Sequence, residues 1–300
     1  DAAAALVIGD ETEGRPLLAE HLGGASMSEE FVDRWRVPGD VRSKQWEERF
    51  GEMRYVPLGE EAWKLALAAT GLAAEDVTKV IVCGTHGRAV KQVAGKISTG
   101  VTQGVADDLT TVVGNTGTAH LGLVLADVVE RAEPGQVIAL VSLSDGCDVF
   151  LFRTTDAVAA RRADRTVQQQ VEVGNADPGL PYLKFLSWKG MATVQPPNRP
   201  EPARASSSAA ARNEDWKYGF VGSADNASGT LHLPPARVSY RDGSVDEMTP
   251  RPMADANGTV VTFTVDRLAY SPSPPVVFAV IDFDEASGGG RMPLELTDVD

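Results

Sequence analysis

Cysteine is nearly absent: the 300 residues hold two, Cys83 and Cys147, both inside apolar segments. That excludes a disulfide framework and a four-thiolate zinc site. It also makes a reducing, cytoplasmic setting the default expectation. Basic residues are in deficit. With 28 Lys and Arg against 42 Asp and Glu, the formal net charge is −14. A nucleic-acid partner needs a basic footprint against its phosphates, so the charge balance argues against that class. Acidic surfaces otherwise speak mainly for solubility. No apolar run is long enough to span a bilayer, so no membrane role is expected. No charged-then-apolar leader opens the chain. An initiating methionine is missing too. The chain begins inside an apolar run at 2–8 and stops just after a strand-like segment, which reads as a piece of a longer protein.

What is present suffices for real cores. The apolar fraction is 43% and the charged fraction 23%, and 300 residues suggest roughly two domains. The most ordered stretch is 113–152, VGNTGTAHLGLVLADVVERAEPGQVIALVSLSDGCDVFLF. A Gly-Asn-Thr-Gly turn at 114–117 precedes a small-residue helix expected over 119–132. Pro134-Gly135 stops that helix. A near-continuous apolar strand follows at 137–143, then a Ser-Asp-Gly turn and a second apolar strand at 149–152. Strands apolar on both faces are buried strands of a layered α/β arrangement.

Upstream, 2–8 reads as a buried strand ended by Gly9-Asp10. Residues 11–60 show little periodicity and read as an insertion loop with short helices, with Trp35 and Trp46 packed on the body. A helix is expected over 60–71 with Gly71 as its stop. A β-branched strand follows at 77–83, then the turn Gly-Thr-His-Gly and a helix over 88–97. Alternating helix and strand predicts a mostly parallel layered sheet. Composition shifts after 155. A polar stretch that can be helical leads to an aromatic patch (Tyr182, Phe185, Trp188) read as a short docked helix. The Pro/Ser/Ala run at 195–212 reads as a linker. From Trp216 onward the pattern alternates, with strands expected at 259–268, at 276–283 and from 292. Several short antiparallel strands suggest a small barrel, the OB-fold being the simplest candidate.

Residues 1–155 resemble the C-terminal half of the thiolase superfamily, in the branch of hydroxymethylglutaryl-CoA synthase and ketoacyl-ACP synthase III. The resemblance is carried by VGNTGTAHLGLVLADVVERAEPGQVIALVSLSDG, DVTKVIVCGTHGRAVKQVAGKI and DAAAALVIGD. From about 180 the chain is similar to an acyl-CoA-associated family that joins a zinc ribbon to an OB-fold. There the motifs are YLKFLSWKG, RNEDWKYGFVGS, LHLPPARVS and TVDRLAYSPSPPVVFAVIDFD. The expected fold is therefore α/β: a layered thiolase-like half domain at 1–155, a helical and Pro-rich connector at 156–215, and a degenerate zinc ribbon plus small all-β OB-fold barrel at 216–300.

The resemblance implies acyl transfer from a coenzyme A thioester with Claisen-type carbon–carbon bond formation. A Cys thiolate takes the acyl group, and His and Asn side chains bond the thioester oxygen as charge develops on it. Asn115 matches the family's asparagine, and the plainer reading is a turn residue bonding its own backbone. Cys83 falls where the family has its histidine, and His86 falls three residues later. His86 either still points into the site or caps the following helix. Cys83 as nucleophile stands against Cys83 as a small buried apolar residue, and the family nucleophile lies in the N-terminal half. Cys147, His120, His21 and His232 carry no catalytic signal. Arg88 and Lys91 are candidates for the CoA phosphates, or else exposed helix charges.

The positions that hold two Cys-x-x-Cys pairs in the zinc-ribbon family read Asp225, Ser228, Ser239 and Asp242 here. No thiolate metal site results. The two Asp hold a hard cation weakly at most, and a metal-free remnant is the better reading. No covalently bound cofactor is expected. The partners implied are an acyl-CoA substrate, a thiolase protein, and a second copy through the thiolase-like domain. Two rivals remain: an acyl-CoA aldolase of thiolase fold, and a non-catalytic scaffold presenting acyl-CoA to a partner thiolase.

Overall fold

The computed structural model describes residues 2–12, 14–160, 163–175, 180–195, 198–200, 203, 205–271, 275–285 and 288–296. The chain forms two compact units, Asp1–Met191 and Ala192–Asp300. Parts of the expected linker (196–197, 201–202 and 204) and the end of the last expected strand (297–300) lie outside the described residues.

In the first unit, β1 (Ala19–Ser28) precedes a short hairpin of β2 (Arg34–Trp35) and β3 (Lys44–Gln45). Then come α1 (Glu48–Thr70), β4 (Lys79–Gly84), α2 (Gly87–Ile97), α3 (Thr110–Val113) and α4 (Thr118–Glu130). The hairpin β5 (Val137–Leu143) and β6 (Gly146–Thr154) follows, with α5 (Ala157–Ala160), α6 (Val167–Asn175) and α7 (Tyr182–Trp188) after it. The sheet order is β1-β6-β5-β4.

Side-chain alternation on β4 and β5 builds two cores. Val80, Val82, Ala139 and Val141 face α1 and α2, while Ile81, Cys83, Ile138 and Leu140 join residues of α4 and α6. Both faces of these strands are therefore covered, which is why they read as unbroken apolar runs. α4 carries Leu121, Leu123, Ala126 and Val129 on flanks that are still partly buried, so it is apolar nearly all round. α1 ends on Gly71 at φ 67, a left-handed cap that glycine takes without steric cost. No helix among the described residues is long and apolar enough to cross a membrane.

Three sequence expectations are corrected here. Residues 2–8 form no strand, and Leu6, Val7 and Ile8 are exposed. The stretch 11–60 is not loop with short helices, since it holds β1 and the start of a 23-residue α1 that continues through Pro57. The sheet is mixed rather than mostly parallel. Only β4 and β5 run parallel, because the tight turn after β5 returns β6 antiparallel and β1 pairs antiparallel with β6.

The second unit holds α8 (Ser207–Arg212) and α9 (Glu214–Gly219). The strands are β7 (Val221–Asp225), β8 (Leu231–His232), β9 (Met248–Pro252), β10 (Gly258–Asp266), β11 (Val276–Phe283) and β12 (Arg291–Leu296). They form two three-stranded sheets, β8-β7-β9 and β10-β11-β12. Among the described residues both sheets are open, so the expected closed barrel is not formed by them. Leu231 and Met253 of the first sheet region share a core with Phe283, Ile281, Met292 and Leu294 of the second. α8 lies within the expected linker, started by Ser206 accepting from the Ala209 N–H at 3.2 Å.

Candidate active site

The C-terminal end of β4 is where the sequence candidates meet. β4 stops at Gly84, and a Cβ there would sit 2.7 Å from the Leu143 carbonyl oxygen, so the close approach of β5 favours glycine. The loop 114–117 reaches this point from the other side. Asn115 Nδ2 donates to the Gly84 carbonyl at 3.0 Å, and its Oδ1 accepts from the Gly117 N–H at 2.9 Å. The amide plane is thus fixed by backbone on both edges. One N–H of Nδ2 and one lone pair of Oδ1 remain, and the residue is exposed.

His86 follows two residues after Gly84 and is buried. Its Nδ1 accepts from the Ala89 N–H at 3.1 Å and so caps α2. An accepting Nδ1 puts the proton on Nε2, which donates to the Glu48 carbonyl at 2.8 Å. Both ring nitrogens are therefore committed to joining the start of α1 to the start of α2. Gly51 makes this possible, because a Cβ there would meet His86 Cδ2 at 2.5 Å.

Around His86 lies a cleft of about 70 Å³ lined by residues that include Asp33, Arg34, Glu47 and Glu48. Arg34 Nη2 donates to the Thr85 carbonyl at 2.6 Å. Burial first, then the Asp33 carboxylate, push the nearby Tyr55 phenol up to about 12. Sequence reading missed this wall, since its residues come from the hairpin β2–β3 and the unanticipated start of α1.

The basic candidates differ. Arg88 is paired with Glu48 at 3.3 Å and Glu52 at 3.2 Å, whereas Lys91 is exposed on α2. Neither cysteine is prepared as a nucleophile. Burial pushes the Cys83 thiol up to about 12, with the Asp108 charge adding to it. Burial does the same to Cys147, with Asp148 adding. Cys83 instead packs in the α4-side core.

In the second unit three of the four candidate positions, Asp225, Ser228 and Ser239, converge. Asp225 is buried. Its Oδ1 accepts from the Ala227 N–H at 2.7 Å and the Ser228 N–H at 3.2 Å, and its Oδ2 accepts from Ser244 Oγ at 3.3 Å. The Ser239 hydroxyl, then the two backbone donors, hold this carboxyl well below the usual range against the opposing effect of burial. Asp242 stays exposed in its turn, accepting from the Ser244 N–H at 3.0 Å. Among the described residues no group of three or more His, Cys, Asp or Glu is placed to hold a metal ion.

A carboxyl depressed in the folded state contributes stability that is present above its unfolded value of about 4 and is lost as pH falls through the folded value. The thermal midpoint of the second unit is therefore expected to fall as pH drops below about 4. Asp225→Asn should flatten that dependence, read by scanning calorimetry across pH. An unchanged slope in the variant would remove Asp225 as its source.

No known protein family profile matches the chain, and no curated protein matches it. Solved structures do. "AbyA1 - tetronic acid condensing enzyme" is 17% identical over 45% of this chain and 43% of that one, with a TM-score of 0.34. "HMG_CoA synthase complexed with CoA" is 14% identical over 52% of this chain and 44% of that one, with a TM-score of 0.37. The chain thus spans less than half the length of these two proteins.

Proposed function

We propose that the first unit is the asparagine-bearing part of an enzyme that binds a coenzyme A thioester and forms a carbon–carbon bond in Claisen fashion, similar to hydroxymethylglutaryl-CoA synthase. The observation that carries this reading is the placement of Asn115. Its amide is held on both edges at the end of β4, with one N–H left to meet a thioester oxygen. A donor fixed before substrate arrives costs no reorganisation when negative charge develops. The motif order over 77–146 supports the same reading. His86, with both nitrogens engaged, serves by fixing the turn after β4. Lys91 remains the freer candidate for the CoA phosphates, since Arg88 faces two carboxylates. Burial pushes both thiols here up to about 12, which supports neither as the acyl-accepting group.

The second unit is read as a zinc-ribbon and OB-type module in which the Asp225 hydrogen bonds take over the metal's role. β10 is exposed along nearly its whole length, and that edge is where a further strand would close a barrel. A homodimer through the first unit and a thiolase partner belong to the same proposal. The engaged His86 and the neutral thiols favour one alternative, a scaffold that holds acyl-CoA for a partner thiolase without forming a covalent adduct.

The test is mass spectrometry of the whole protein after incubation with acetyl-CoA, paired with calorimetric titration of acetyl-CoA. An acyl adduct with binding supports the synthase. Binding without an adduct supports the scaffold. No binding refutes both.

A further inference from the structure

His120 lies in the first turn of α4 and is only 3% exposed. Its backbone N–H donates to the Gly117 carbonyl at 3.0 Å. Its Nδ1 shares a hydrogen bond with Thr116 Oγ1 at 3.4 Å. Its Nε2 is buried and has no hydrogen-bond partner among the described residues. A buried polar atom left unpaired opposes folding, and a leucine of similar size would carry no such atom. His120 is therefore a poor choice for packing alone.

Its contacts say where it acts. Thr116 and Gly117 are the two residues following Asn115, and the Gly117 N–H is the group that holds Asn115 Oδ1. The His120 backbone N–H bonds Gly117, the Gly117 N–H bonds Asn115, and Asn115 bonds Gly84 at the end of β4, while the His120 ring adds a separate tie to the same loop at Thr116. We infer that His120 is a positioning residue: its ring, bonded to Thr116, steadies the loop 114–117 and so helps set the direction of the Asn115 amide. This rests on the reading of Asn115 as the thioester-binding group, although the clamp itself is independent of it.

The experiment compares wild type, His120→Leu and His120→Gln. Hydrogen exchange at the Gly117 amide reads the clamp, thermal unfolding reads the fold, and acetyl-CoA titration reads the site. In His120→Leu the melting midpoint is expected to hold or to rise by up to roughly 4 °C. Protection of the Gly117 amide falls at least about 10-fold, and acetyl-CoA affinity falls about 5- to 10-fold. His120→Gln, which can still bond Thr116, recovers most of the protection. Unchanged Gly117 protection in His120→Leu overturns the inference. So does a drop in melting midpoint large enough to explain the lost protection. If wild type binds no acetyl-CoA, the proposed function fails, while the exchange data still decide the clamp.

Discussion

Replacing Gly24 with alanine is expected to lower the stability of the first unit by about 3 kcal/mol or more, read as a lower urea midpoint. A Cβ at Gly24 would stand 2.1 Å from the Val149 carbonyl oxygen and 3.3 Å from Phe150 Cα. Both are backbone atoms of β6, directly across the ladder where Gly24 pairs with Phe150 and Ala25 with Val149. No side-chain rotation relieves such a contact. The two strands must part, and the β1–β6 ladder at the edge of the sheet loses hydrogen bonds over several residues. Gly95→Ala serves as the control. Gly95 lies within α2, and no atom comes within 4 Å of its added Cβ. Alanine there should stabilise by about 0.5–1 kcal/mol through helix propensity. If Gly24→Ala unfolds at the wild-type urea concentration, β1 does not pair with β6 as described.

The second large effect concerns the site. On the proposed condensing function, Asn115→Ala should reduce acetyl-CoA turnover by the whole protein about 100-fold, the usual cost of removing one donor to a developing oxyanion. Stability should change by only about 1 kcal/mol, since the side chain is exposed and its two bonds are made to backbone. Asn115→Asp separates the site from the turn. Aspartate keeps an oxygen for the Gly117 N–H but loses the donor toward Gly84 and any substrate oxygen, and it adds a negative charge. Turnover in Asn115→Asp should fall as far as in alanine, while the turn persists. Retained turnover in either variant would leave Asn115 as a turn residue only.

The strands that could be read directly were the near-continuous apolar runs. Val137–Leu143 and Val276–Phe283 were legible to the residue, because β-branched and aliphatic runs of that length bounded by turns have few alternatives. The helix ending at Gly71 was legible at its stop, where a left-handed glycine is required, and not at its start. β1 was invisible. Its sequence, AEHLGGASMS, has two glycines and no β-branched residue, and only the partner strand makes it a strand. Conversely, the run at 2–8 has an apolar pattern but no strand beside it to bond.

The candidate site divides along the same line. The sequence by itself determined the residue types: an asparagine in a glycine turn before a small-residue helix, a histidine after a buried strand, and Asp225, Ser228, Ser239 and Asp242 at paired spacing with no thiol among them. Only the tertiary structure decided their partners. Which atoms of His86 are engaged depends on Glu48, which is 38 residues away in the chain and brought close by the packing of α1 on α2. The direction of Asn115 depends on Gly84, 31 residues away. Hydrogen bonds between such distant residues leave no periodicity in a sequence, because neither partner's local pattern constrains the other until the chain has folded.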